Sequence, residues 1–232
     1  MVARDVRGRT KPMPTEFEAA LRAYHRETQA AAFDFIGDRY DDAFPHKEGQ
    51  LAAGEWVIER LEPGARVLDA GCGTGVPTAR QLVDAGAHVT GIDISRVMLD
   101  LARANVPEAD FQLLDVADLD SEFADYDAVV AFFSLLMLPR AQIPVALRHL
   151  HRVLRPGGWL ALGMVEADVD DVPIPFLGVS VHVSGFFPQQ LHRLTVDAGF
   201  EVLEERSLKY APSTAETLPE IQQFLYCRRA GG

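Results

Sequence analysis

The hydrophobic pattern of the chain changes period at residue 65. Before it the spacing is helical. Residues 15–36 (TEFEAALRAYHRETQAAAFDFI) are Ala-rich and predict a helix that Gly37 ends. Tyr40–His46 (YDDAFPH) reads as a loop, and Gln50–Leu61 reads as a second helix with Leu51, Val57, Ile58 and Leu61 on one face, broken at Pro63-Gly64. From residue 65 short apolar runs alternate with helical stretches. Strands are expected at Arg66–Asp69, His88–Asp93, Asp110–Leu114, Tyr126–Phe132 and Trp159–Val165. Helices are expected at Val76–Ala85, from Ser95 to Pro107, and at Ala141–Leu154. Strands that are apolar throughout are buried on both faces, which implies a parallel sheet covered by helices. The regularity stops at Glu166–Phe187, an acidic run followed by an apolar stretch interrupted by Pro173, Pro175 and Gly185, and this segment reads as an insertion. A helix at Pro188–Ala198 and strands at Phe200–Leu208 and Ile221–Arg228 close the pattern as an antiparallel hairpin.

Length and charge narrow the function classes. A chain of 232 residues fits one α/β domain with some decoration. The net charge is −12, and the basic clusters are small: the first eleven residues, Arg148/Arg152/Arg155, and Arg228/Arg229. A nucleic-acid partner is therefore not expected. No apolar run reaches membrane-spanning length, and the basic N-terminus has no apolar stretch after it, so residues 1–13 read as a frayed tail. Two cysteines are too few for a disulfide framework, which points to the cytoplasm, and no Cys/His spacing suggests a metal. A homodimer is left open.

The chemistry concentrates at Ala65–Gly75, ARVLDAGCGTG. A buried strand runs into a turn with Gly71, Gly73 and Gly75, where bare backbone N–H groups can approach a ligand. The third glycine comes one residue too early for a dinucleotide fingerprint, and no Lys-Ser/Thr follows for a phosphate loop. Asp69 would repel a pyrophosphate and suits a ligand bearing a cationic amine. Asp93 ends the second strand and Asp115 follows the third, so acidic groups sit at three successive strand ends, where open α/β sheets bind ligands.

Asp-x-Gly-x-Gly-x-Gly at a strand end resembles motif I of the class I S-adenosylmethionine-dependent methyltransferases. The resemblance extends over about residues 50–230, through GID at 91–93, LLDVADL at 113–119, YDAVVAFFSLLM at 126–137 and LRPGGWLALG at 154–163. It implies a single doubly wound, seven-stranded sheet, mostly parallel with an antiparallel last strand. A tail and helical cap or lid at 1–48 would precede the methyltransferase domain at 49–232, with 166–187 as a substrate-covering insertion. S-adenosylmethionine would lie across the carboxyl edge. Gly71, Cys72, Gly73, Thr74 and Gly75 would approach its methionine and ribose portion, and Asp69 would act on its amino group. Ala131 and Phe132 would lend carbonyls to the same amino group. Asp93 would take the ribose hydroxyls. Asp115 and Val116 would meet the adenine edge, and Ile94 and Met98 its faces, although the last two read equally well as core.

Methyl transfer is an in-line displacement that asks mainly for alignment, and an oxygen, nitrogen or thiol acceptor must also lose a proton. His182 in the insertion is the first choice for base or substrate ligand, and His46 in the N-terminal loop the second. The other five histidines, His25 among them, read as structural. Tyr40, a cofactor contact, and Phe44 read either as an aromatic lid closing on the cofactor or as packing between the N-terminal helices and the sheet. Phe44, Phe133, Met137, Phe176 and Phe186 would suit a small, largely apolar acceptor. The expected function is methylation of such a molecule, with a natural-product tailoring step by analogy. The alternatives are a non-methylating protein that keeps the cofactor fold, pericyclase-like or a sensor, and a methyltransferase acting on RNA or protein.

Overall fold

The computed structural model describes residues 15–119, 123–211 and 219–231. The expected tail at 1–13 and the end of the acidic loop at Asp120 lie outside the described residues. Helix α1 (Glu16–Ile36) starts at a capping box: the Glu18 N–H donates to Thr15 Oγ1 at 3.2 Å and the Thr15 N–H to Glu18 Oε2 at 2.7 Å. Gly37, at φ +54°, ends it. The expected loop at Tyr40–His46 is partly helical, as α2 (Arg39–Ala43), because α2 docks its aromatic ring onto its neighbours rather than running free. Helix α3 (Glu48–Ile58) follows.

The α/β part then runs β1 (Arg66–Ala70), α4 (Thr78–Asp84), β2 (His88–Asp93), α5 (Arg96–Asn105), β3 (Asp110–Leu113), β4 (Tyr126–Phe132), α6 (Ile143–Val153) and β5 (Leu154–Val165). Next come β6 (Val169–Phe176), β7 (Val179–Gly185), α7 (Pro188–Asp197), β8 (Phe200–Tyr210) and β9 (Glu220–Arg229). The seven-stranded sheet has the order β3-β2-β1-β4-β5-β9-β8. All pairs among β1–β5 are parallel, and β9 inserts antiparallel between β5 and β8. The expected seven-stranded, mostly parallel sheet is therefore present.

Alternate side chains of each strand feed opposite cores. Leu68, Val129 and Leu160 pack with Leu147 and Leu150 of α6 and Leu191 of α7. Val67, Val89 and Val130 pack with Trp56 and Val57 of α3, Leu82 of α4 and Leu99 of α5. The strand order turns back between β1 and β4, so the two loops leaving these strands part and open a crevice at their carboxyl ends.

The insertion is more regular than its sequence suggests. It forms an antiparallel hairpin, β6–β7, turned at Leu177-Gly178, both in the left-handed region (φ +49° and +85°). Pro173 and Pro175 sit on β6, which is tolerable because both strands of a two-stranded ribbon are edges. The prolines and the Asp170-Asp171 pair hide the alternation that marks a strand. The hairpin tip joins the N-terminal helices and α5 in a third cluster: Ile36, Ala43, Met98 and Leu177, flanked by Phe33, Tyr40, Phe44 and Phe176.

Candidate active site

A cavity of about 250 Å³ lies between the carboxyl ends of the central strands and a roof made by α1, α2 and the hairpin. Its floor is built by backbone. The N–H groups of Gly71 and Cys72 both donate to the Ile92 carbonyl, at 2.8 and 3.0 Å, which locks the glycine loop against β2. A Cβ on Gly71 (φ +82°) would fall 2.2 Å from the Ser134 Cβ, so no larger residue fits beside the loop after β4. Gly73 differs. It is also left-handed (φ +53°), but a Cβ there would meet nothing within 4 Å, because it faces open cavity.

The acidic groups occupy three distinct settings. Asp93 accepts from the Gly73 N–H (Oδ2, 2.9 Å) and the Ser95 N–H (Oδ1, 2.9 Å), so it holds the loop and starts α5 at once. Each carboxylate oxygen retains a lone pair for a ligand. Burial raises its pKa, and the backbone hydrogen bonds oppose that rise. Asp115 accepts from the Ala117 N–H at 2.9 Å, and burial raises its pKa too. Asp69 is 2 % exposed, and its Oδ2 has no hydrogen-bond partner among the described residues. Burial, with the charge of Asp93 adding, pushes its carboxyl up to about 7. A buried oxygen without a donor beside a second acid is a place a cationic group would stabilise.

The roof is aromatic. Tyr40 and Phe44 have ring centroids 5.2 Å apart, Phe44 stacks on Phe176 at 5.8 Å and on Tyr210 at 5.9 Å, and Phe33 lies 6.4 Å from Phe176. Burial raises the Tyr40 phenol, as do the nearby charges of Glu220 and Asp41. Asp41 of α2 ties this roof to the floor. It accepts from Thr74 Oγ1 at 2.7 Å and pairs with the Lys47 ammonium, which also donates to the Val76 carbonyl at 3.1 Å.

Most expected residues line this one cavity. Tyr40, Gly71, Cys72, Gly73, Thr74, Asp93, Ile94, Met98, Asp115, Val116 and Phe132 do, as do Phe44, Phe133, Met137, Phe176 and His46. Five sit elsewhere. Asp69 lies beneath the floor. Gly75 packs against α5, where a Cβ would come within 3.4 Å of Ala102 and Val106. Ala131 is fully buried in the sheet core. Phe186 packs under the Arg140 guanidinium, 4.6 Å from its ring centroid, off the cavity wall. His182 is the main correction: Val181 and Val183 face the cavity, and the strand alternation carries His182 to the other side of β7.

His25, expected to be structural, does line the cavity, with 14 % of its side chain exposed. Gln29, Lys47, Tyr210 and Glu220 also line it without having been singled out from the sequence. A signal for His25 and Gln29 existed in the helix period, since i and i+4 share a face, but nothing in the sequence says which face meets the cavity.

The residues fit S-adenosylmethionine on three observations: the open cradle at Gly73, the unpartnered acid at Asp69, and the carboxylate with spare acceptor capacity at Asp93. Similarity to known proteins agrees. A family described as a methyltransferase domain matches residues 67–158. The O-methyltransferase cnsE of Penicillium expansum is 33% identical over 221 residues, covering 85% of this chain and 76% of that protein. A malonyl-[acyl-carrier protein] O-methyltransferase of Erwinia pyrifoliae is 37% identical over 137 residues, 58% of this chain and 50% of that protein. Several curated relatives are thus matched over only about half their length. The crystal structure of the Burkholderia thailandensis 1,6-didemethyltoxoflavin-N1-methyltransferase, with S-adenosylhomocysteine bound, shares the fold at a TM-score of 0.64, 22% identity, 95% coverage of this chain and 92% of that one. Glycine loop, strand-end acids, sheet order and these likenesses converge: the chain belongs to the class I S-adenosylmethionine-dependent methyltransferases.

Proposed function

We propose that this protein transfers a methyl group from S-adenosylmethionine to a small, largely apolar molecule, as in the tailoring of a natural product. The observation that carries this reading is the continuity of the cavity. One wall is polar backbone and strand-end carboxylate. It passes without a break into a chamber lined by Phe33, Phe44, Phe176, Val181 and Val183 under the hairpin.

Bound there, S-adenosylmethionine would supply an electrophilic methyl group and a thioether leaving group. The chain's own work is to hold and align. Asp93 would accept the ribose hydroxyls while keeping its two backbone donors, and Asp115 would meet the adenine edge. Asp69 would be held ionised by a nearby ammonium, relieving its unpartnered burial. The roof excludes water, and its apolar wall orients the acceptor by shape. An acceptor hydroxyl or amine would give up a proton, and His46 at the mouth or Glu220, opposite Tyr210 on the β8–β9 ladder, would take it. Burial raises the Glu220 carboxyl, which makes its carboxylate the stronger base.

The test is calorimetric titration with S-adenosylhomocysteine, then incubation with S-adenosylmethionine and a panel of apolar phenols, amines and carboxylic acids. A gain of one methylene in mass on an acceptor, with S-adenosylhomocysteine released, supports the reading. Tight binding with no transfer across the panel favours a non-methylating protein that keeps the fold. No binding to the folded chain removes the reading altogether.

A further inference from the structure

We propose that His25, Asp171 and His182 form a site for one divalent first-row metal ion, of which zinc is the type. The site lies where α1 meets the hairpin, at the edge of the acceptor chamber, and does not depend on the methyl-transfer reading.

The three groups come from three elements. His25 Nε2 lies 2.8 Å and His182 Nδ1 3.2 Å from the same oxygen, Asp171 Oδ1, and all three ligand atoms fall within 4.8 Å of one another. Both nitrogens lie beside one carboxylate oxygen, so the three donor atoms cluster around a common point where an ion would sit. With bonds of about 2.0–2.2 Å, neighbouring donors in a tetrahedral or octahedral sphere stand about 3–3.5 Å apart. The two nitrogen–oxygen spacings, 2.8 and 3.2 Å, lie close to that range, and the two nitrogens are within 4.8 Å of each other. Two imidazoles and a carboxylate suit zinc and its neighbours and do not suit a monovalent copper site, which prefers sulfur.

The surrounding backbone is built to hold this geometry. Asp171 sits at φ +53°, unusual for a non-glycine residue, inside the register shift of β6 between Val169 and Val172. A bulge re-aims a side chain, and here it turns Asp171 toward the two histidines. The Asp171 N–H donates to Ser184 Oγ at 2.9 Å, fixing the bulge. Gln29, one helical turn beyond His25, clamps His182 from both sides: it accepts from the His182 N–H at 2.9 Å and donates to the His182 carbonyl at 2.7 Å. The neighbouring Arg22 and Arg26 are both engaged by Asp118, which leaves the Asp171 carboxylate without a guanidinium partner among the described residues. His25 also lines the cavity, so the site lies beside the acceptor chamber. Without metal, His182 Nδ1 lies 3.1 Å from the Asp171 carbonyl, so a purely hydrogen-bonded latch is the competing arrangement.

The experiment uses tag-free, chelator-treated full-length protein titrated with zinc by calorimetry and with cobalt by visible absorption. The expected result is one ion per chain, with cobalt bands of a low-symmetry nitrogen–oxygen site. His182→Ala, whose side chain lies off the cavity wall, should weaken zinc binding by at least about a hundredfold, and so should Asp171→Asn. S-adenosylhomocysteine affinity, measured in parallel, reports that each protein is folded. Wild type that binds S-adenosylhomocysteine but takes up no zinc overturns the site and leaves the latch. Uptake that His182→Ala does not weaken also overturns it. Zinc uptake by the wild type that His182→Ala loses, in proteins that circular dichroism shows to be folded but that do not bind S-adenosylhomocysteine, sustains the metal site while removing the functional reading.

Discussion

The floor and the roof of the cavity are built on different principles. The floor is backbone: Gly71, Cys72 and Gly73 hold their positions by hydrogen bonds to Ile92 and Asp93, within a sheet whose core side chains are fully buried. The roof is side chain: Phe33, Tyr40, Phe44 and Phe176 touch one another, and polar tethers, Asp41–Thr74 and Gln29–His182 among them, hold it in place. A floor made of backbone binds parts of a ligand that never change. A roof of side chains can be reshaped without disturbing the sheet, so the constant substrate belongs to the floor and the variable one to the roof.

Glycine substitutions test the floor most severely. Gly71→Val should cost about 4 kcal/mol or more, since it combines a left-handed φ with a clash against the Ser134 Cβ. Thermal denaturation reads the loss. Gly73→Ala should cost only the left-handed penalty, about 1–2 kcal/mol, and yet weaken S-adenosylhomocysteine binding, because its Cβ would occupy the cradle. Equal effects of the two changes on stability would erase the distinction between a packing glycine and a ligand-facing one.

Asp93→Ala comes next. It leaves the Gly73 and Ser95 N–H groups unpaired, so both stability and cofactor affinity should fall by about 1–3 kcal/mol. Calorimetry alongside thermal denaturation separates the two losses.

Asp69 gives a pH signature. Its folded pKa, about 7, lies above the ordinary 3.8, so the folded state holds the extra proton across that window. Its contribution to stability is full below about pH 4 and is lost as pH rises through about 7. A cationic amine bound nearby favours the ionised form, so binding at pH 6 should release a proton. The binding enthalpy would then vary with the ionisation enthalpy of the buffer. Asp69→Asn should remove that buffer dependence, weaken cofactor binding and flatten the acid side of the stability profile. Buffer-independent enthalpy in the wild type would show that the amine does not approach Asp69.

Gln29→Leu should have the smallest effect on the floor. It strips both clamps from the His182 backbone and should cost about 1–3 kcal/mol locally, seen as faster amide exchange across β7. Cofactor affinity should move by less than about twofold, because the change is remote from the glycine loop. A larger fall would mean that roof and floor are one unit.

The floor was legible in the sequence because its signals are local. A buried strand, three closely spaced glycines and an acid at each of three strand ends are set by residues that stay near one another along the chain. The parallel sheet followed from the same kind of evidence, strands apolar on both faces. Even there a Cβ on Gly75 would meet α5 and the Ala131 side chain lies in the sheet core, since a motif fixes where a backbone goes but not which of its positions face outward.

The roof was not legible, and His182 shows why. Strand alternation guarantees that His182 and its neighbours Val181 and Val183 face opposite ways, but only the docking of the hairpin on α1 decides which set meets the cavity. His25 meets Asp171 across 146 residues, and Gln29 meets His182 across 153. No spacing rule spans such distances, so a ligand set of two histidines and an aspartate leaves no trace in the sequence. By itself the sequence determined the sheet, the glycine loop and the acids at the strand ends, because short-range sterics and hydrophobic periodicity fix them. The tertiary structure alone decided which side chains close the chamber, because that depends on where three distant segments come to rest.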